Sequence, residues 1–141
     1  MPASIGFRPC EARDIDAVLE LWLRAEAVPR PTDHAAALSR RLERDPELFL
    51  LALEGGRIVG SLMGGWDGWR GNLYRLAVDP AYRRQGLALA LLERVEEALR
   101  AKGAARIVSR AFHAEPGVVE FWSGAGYSLD ADQACYSKDL G

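Results

Sequence analysis

An α/β fold is what this sequence predicts, on three observations. From Leu73 to Gly103, a short apolar run, a basic glycine-containing turn and a long amphipathic pattern follow one another directly. From Leu48 to Gly65, two apolar runs are joined by Gly55-Gly56, the signature of a tight β-hairpin. Ahead of these lie two helical patterns, the first carrying Ile15, Val18, Leu19, Trp22 and Leu23 and the second Leu38 and Leu42. At 141 residues the chain is most simply one domain, residues 1–141, long enough to bury a substantial core.

In chain order, Ser4 to Arg8 reads as a first strand ended by Pro9, and a helix begins near Asp14. Ala27-Val28-Pro29-Arg30-Pro31 breaks it. Thr32 can cap a second helix that runs to about Arg44, where Asp45-Pro46 stops it. The hairpin strands follow, Leu48 to Glu54 and Arg57 to Gly65. Gly60, Gly64 and Gly65 weaken the second strand, which points to something passing close by. Leu73 to Val78 is the central strand, ended by Asp79-Pro80. The helix after it carries Leu87, Leu91, Val95 and Leu99 on one stripe and stops at Gly103. Arg106 to Ala111 reads as another strand. Pro116 suits the first turn of a short helix with Val118, Val119, Phe121 and Trp122 on its apolar face. Tyr127 to Leu129 and Ala134 to Lys138 read as two closing strands.

Composition narrows the functional classes. Eighteen basic against twenty acidic residues give a net charge of −2, so there is no electrostatic case for nucleic acid or an anionic membrane. The chain has no run of membrane-spanning length and no secretory signal pattern at its start. Cys10 and Cys135 stand near opposite ends with no cysteine or histidine at metal spacing, so both read as free thiols and no metal is expected. These readings point to the cytoplasm; the oligomeric state is not set by the sequence, and a monomer or homodimer is expected.

The turn between Val78 and Leu87 carries the chemistry. A helix N-terminus presents unpaired N–H groups and the positive end of its dipole. Gly86 permits close backbone approach, and Arg83 and Arg84 add charge. Together these suit a phosphate or pyrophosphate. The same residues also read as an ordinary strand-to-helix turn with two solvated arginines.

Arg83-x-x-Gly86-x-Ala88, following Ala77-Val78-Asp79-Pro80, resembles the acyl-CoA-binding motif of the GNAT (GCN5-related) acetyltransferases. Met63 to Gly71 is similar to the YpeA-like bacterial branch, and Phe121-Trp122 with Gly126-Tyr127 resembles the superfamily's penultimate helix and following strand. The resemblance implies a mixed, mostly antiparallel sheet of six to seven strands flanked by about four helices. It implies acetyl-CoA as co-substrate and an N-acetyltransferase acting on an amine of a small molecule, amino acid or peptide. The backbone of Leu76, Ala77 and Val78 would pair with the pantetheine arm, and the loop Arg83, Arg84, Gln85, Gly86, Leu87 and Ala88 would hold the pyrophosphate.

Two departures bear on catalysis. Trp122 stands where many members place a tyrosine acid, and Glu115 where an asparagine is often found; an indole N–H donates a hydrogen bond but no usable proton. Trp122 also reads as core packing. Glu115 and Tyr74 are the candidate proton handlers, with His113 and Tyr127 as weaker alternatives. Trp66, Asp67, Trp69 and Arg70, with Val28 to Pro31, are candidates to wall the acceptor cleft, Asp67 binding an ammonium and Arg70 a carboxylate; the tryptophans read equally as caps on the core. A non-catalytic acyl-CoA-binding module or sensor is the alternative function. A plain nucleotide-binding domain is disfavoured by the lack of a Gly-x-x-x-x-Gly-Lys loop.

Overall fold

The computed structural model describes residues 4–27, 29–111 and 115–141. They form two compact units that divide after Val108. The apolar runs become β1 (Ile5–Pro9), β2 (Phe49–Glu54), β3 (Arg57–Trp66) and β4 (Gly71–Val78) in the first unit, and β5 (Ile107–Ser109), whose last residue lies past the division. They form one sheet in sequence order. β1 to β4 pair antiparallel. Gly55 and Gly56 take φ of 55° and 81°, the left-handed conformations that a two-residue hairpin turn requires.

Helices cover both faces of the sheet. α1 (Ile15–Arg24) and α2 (Ala35–Leu42) lie on one. There Val18, Leu21, Trp22 and Leu38 pack with Phe49, Leu51, Met63 and Ala77. α3 (Leu87–Lys102) lies on the other, with Leu87, Leu91, Leu92, Val95 and Leu99 buried. The strand glycines explain how closely it sits. A Cβ on Gly64 would lie 2.7 Å from Val95 Cγ1, one on Gly60 3.1 Å from Leu91 Cδ1, and one on Gly71 2.8 Å from Leu99 Cδ1. The element passing close to those glycines is therefore α3. It carries the chain back along the sheet, so β5 enters beside the start of β4, where Gly71 N–H donates to Arg106 O at 3.0 Å.

Several boundaries differ from the sequence reading. α2 is capped by His34, whose Nδ1 accepts from Ala37 N–H at 3.2 Å, and not by Thr32. The shift follows from Asp33, whose carboxylate is engaged by Arg30 N–H and by the Arg75 guanidinium. The strand expected over Arg106 to Ala111 contracts to three residues.

In the second unit Gly117, at φ 82°, caps α4 (Val118–Gly124), leaving Pro116 outside the helix. The two closing strands do not form among residues 115–141, so the sheet has five strands where six to seven were expected. Runs of three and five residues make a marginal pair by themselves, since a lone two-stranded hairpin is barely stable. Trp122 packs edge-on against both Phe121 and Tyr127, with ring centroids 5.2 and 4.9 Å away. No helix among the described residues is long and apolar enough to cross a membrane.

Candidate active site

The ladder between β3 and β4 decides which way each β4 peptide points. Asp79 N–H donates to Val59 O at 2.8 Å. In an antiparallel pair, bonded and non-bonded positions alternate. With Ala77 opposite Ser61 and Val78 opposite Gly60, Ala77 turns its N–H and C=O toward β3. Leu76 and Val78 turn theirs to the other edge. β5 has only three residues and begins beside Gly71, so it does not reach Leu76 to Val78. Of the three residues expected to offer backbone groups, two face outward and Ala77 does not.

A bulge sets the geometry just before them. The register shifts between Ser61 and Met63, leaving one extra residue in β4, and Arg75 takes φ 57°. A bulge of this kind bends the strand and re-aims its side chains. Here Tyr74 and Arg75 both face the α1–α2 side. Tyr74 lies over Gly65, within 3.5 Å of a Cβ there, and is 44% exposed, so it is not a core residue. Arg75 pairs with Asp33 and stands 5.3 Å above the Trp22 ring.

Beyond Val78 the loop is tied down at three places. Asp79 is buried and accepts from Ala81 N–H at 2.9 Å, Arg24 at 3.0 Å and Arg57 at 3.2 Å. Burial alone would raise its pKa, but the Ala81 N–H and the Arg24 and Arg57 guanidinium groups hold it below the ordinary carboxyl value. Tyr82 OH donates to Glu54 at 2.7 Å. Arg83 donates to the carbonyl of Ala25 at 3.2 Å, so one of the two loop arginines braces α1. Arg84, at φ 63°, and Gly86, at φ 83°, are both left-handed. Such a turn points successive N–H groups into one concavity. Gly86 caps α3, and a Cβ there would meet nothing within 4 Å. No described residue of the first unit fills the space immediately over Gly86. Gln85 Oε1 is buried with no partner among the described residues.

Within the first unit, the other sequence candidates are not gathered here. Trp66, Asp67, Trp69 and Arg70 sit at the β3–β4 turn, beside the C-terminal end of α3, whose sixteen residues span about 24 Å. A hairpin turn lies at the start of β4, whereas the cradle follows its end. Asp67 accepts the Trp69 and Arg70 N–H groups at 2.8 and 2.7 Å, and Arg70 stacks on Trp69 at 4.1 Å. Trp66, Trp69 and Arg70, with Lys102 and Arg106, line a hollow of about 560 Å3, and Asp67 is not part of its lining. Glu115 belongs to the second unit, where it is exposed and its carbonyl accepts from Val118 N–H at 3.3 Å. Val28 and His113 lie outside the described residues. No group of three or more His, Cys, Asp or Glu that could hold a metal ion occurs among the described residues.

Sequence reasoning missed Ser61, Trp22, Arg75 and Asp79 as parts of this arrangement. The available signal was a lone hydroxyl, Ser61, inside an apolar strand: a buried hydroxyl needs partners.

Comparison with known proteins agrees with this architecture. The model of the Acetyltransferase (GNAT) family matches residues 15–127. An acetyltransferase of Pectobacterium atrosepticum is 45% identical over 94 residues, 67% of each chain. Ard1 from Thermoplasma volcanium shares the fold with a TM-score of 0.81 at 18% identity, over 90% of this chain and 84% of that one. The PaiA N-acetyltransferase of Thermoplasma acidophilum, solved in complex with coenzyme A, does so with a TM-score of 0.78 at 16% identity, over 90% and 91%. Matched by the family model over most of its length and built on the same fold, the chain belongs to the GNAT family of acetyltransferases.

Proposed function

We propose that the protein binds acetyl-CoA along the outward edge of β4 and transfers the acetyl group to an amine of a small molecule, amino acid or peptide. The observation that carries this reading is the continuity of three features: the outward Leu76 and Val78 backbone, the left-handed Arg84–Gly86 turn, and the first turn of α3. Amide groups of a pantetheine arm would complete the strand edge. The N–H groups around Gly86 would hold the diphosphate, and Gln85 Oε1 leaves an acceptor for a donor on the bound coenzyme. These features support the coenzyme reading.

The coenzyme supplies an acetyl group activated as a thioester. The Leu76 N–H, turned to the outer edge of β4, would donate to the thioester oxygen where negative charge develops, which is the form of stabilisation that counts most in acyl transfer. An alkyl amine with a pKa of about 10 is protonated at neutral pH and must lose a proton before attack. Tyr74, exposed on the α1–α2 face beside the bulge, is the group proposed to relay it to solvent, its hydroxyl giving up one proton as it takes another; the C–N bond would form as the C–S bond breaks, and CoA would leave as the thiolate. Positioning of two reactants can lower a barrier by up to ~7–11 kcal/mol.

The test is thiol release from acetyl-CoA across a panel of amines, with thermal stabilisation measured in parallel. Acetyl-CoA should raise the melting temperature and ATP should not. Stabilisation by ATP alone, or no thiol release with any amine, would refute the proposal.

A further inference from the structure

A non-glycine residue in the left-handed region is strained and persists only where its surroundings impose that conformation. Arg75, on the β4 bulge, is such a residue at φ 57°. We propose that Ser61, locked by Trp22, is the positioning residue that imposes this conformation and so aims the Leu76 N–H at the thioester; the proposal rests on the acetyl-CoA reading above.

The directions of the hydrogen bonds leave no freedom. Trp22 Nε1 lies 2.9 Å from Ser61 Oγ, and Ser61 Oγ lies 3.2 Å from Arg75 O. An indole N–H can only donate, and a hydroxyl has a single hydrogen. Ser61 therefore accepts from Trp22 and commits its one proton to Arg75 O. Ser61 is fully buried, so water does not compete for it. The peptide unit is planar, with C=O and N–H on opposite sides. Holding Arg75 O on the β3 side therefore holds the Leu76 N–H toward the outer edge. The Arg75 side chain gives a second tie to the same α1 face, through Asp33 and the Trp22 ring. Ser61 touches no substrate in this scheme; it acts through the 75–76 peptide.

The experiment compares wild type with Ser61→Ala, Ser61→Thr and Trp22→Phe. One readout is the backbone amide resonance of Leu76 with CoA and then with acetyl-CoA bound. The other is kcat and KM for acetyl-CoA in thiol release. In wild type the Leu76 resonance should differ between the two ligands, and Ser61→Ala should shrink that difference. Loss of an oxyanion donor costs ~10²–10³ in kcat, and a misaimed donor should cost part of that, about 10–100-fold, with KM within about twofold. Ser61→Thr, which keeps the hydroxyl, should recover most of the rate, and Trp22→Phe should lower kcat in the same direction. Ser61→Ala with kcat intact, or with only a lower melting temperature or a raised KM, would overturn the proposal. So would a Leu76 resonance blind to the acetyl group. Failure of wild type to bind either ligand would instead refute the coenzyme reading, and this proposal with it.

Discussion

Replacing Gly64 by alanine tests how α3, and with it the Gly86 cradle, is seated on the sheet. The added Cβ would stand 2.7 Å from Val95 Cγ1 and 3.4 Å from Leu48 Cβ. Carbon atoms pack best at about 3.5–4.0 Å, so the side chain of Val95, buried in the α3 interface, must retreat by roughly 1 Å. Overpacking a well-filled core costs about 1–3 kcal/mol. Alanine also narrows the unfolded ensemble, which returns about 0.4–1 kcal/mol. The net loss is then about 1–2 kcal/mol, or roughly 2–8 °C in melting temperature for a chain of this size. Two neighbours calibrate the result. At Gly60 the Cβ would be 3.1 Å from Leu91 Cδ1, and at Gly65 its nearest neighbour is Tyr74 at 3.5 Å. Thermal and urea unfolding should therefore rank the losses Gly64→Ala, Gly60→Ala, Gly65→Ala, from largest to smallest. Adding Val95→Ala to Gly64→Ala should cost less than the two single losses summed, because the two sites share one space. Equal losses at the three glycines, or strict additivity of that pair, would refute the packing argument.

Gly86→Ala places a side chain in the left-handed region without a clash, at a cost of ~1–2 kcal/mol that should lower the melting temperature by a few degrees; calorimetry should also show acetyl-CoA affinity falling by about tenfold or more as the loop relaxes out of that conformation. Acid unfolding should depend on Asp79: its folded pKa lies below the ordinary value, so its contribution is whole above about pH 4 and fades as pH falls through the folded pKa. Asp79→Asn should flatten that limb of the stability curve; an unchanged limb would exclude Asp79 as its source. Burial pushes the Cys10 thiol up to about 12 while Cys135 is exposed. A thiol reagent should label Cys135 at once and Cys10 only on unfolding.

What could be read in the sequence was local. The four-residue spacing of Leu87, Leu91, Val95 and Leu99 with Gly103 as a stop gave α3 nearly to the residue, and Gly55-Gly56 gave the hairpin. The Arg83–Ala88 turn lies where the motif put it, between β4 and α3. Features set by partners far along the chain were not readable. The bulge at Arg75 depends on Ser61 and Trp22, and the start of α2 depends on what Asp33 pairs with. The run from Tyr127 to Lys138 has strand-like composition but gains no ladder among the described residues, and composition carries no information about a partner strand.

The bracing around the cradle has a consequence for engineering. Asp79 answers to Arg24 on α1 and to Arg57 on β3, Tyr82 to Glu54 on β2, and Arg83 to the end of α1. The loop is thus moulded from three directions by elements that precede it in the chain. Residues 79–90 transplanted between a strand and a helix of another scaffold would arrive without their mould, and a host that supplied equivalents of Arg24, Arg57 and Glu54 would be the one to inherit the grip.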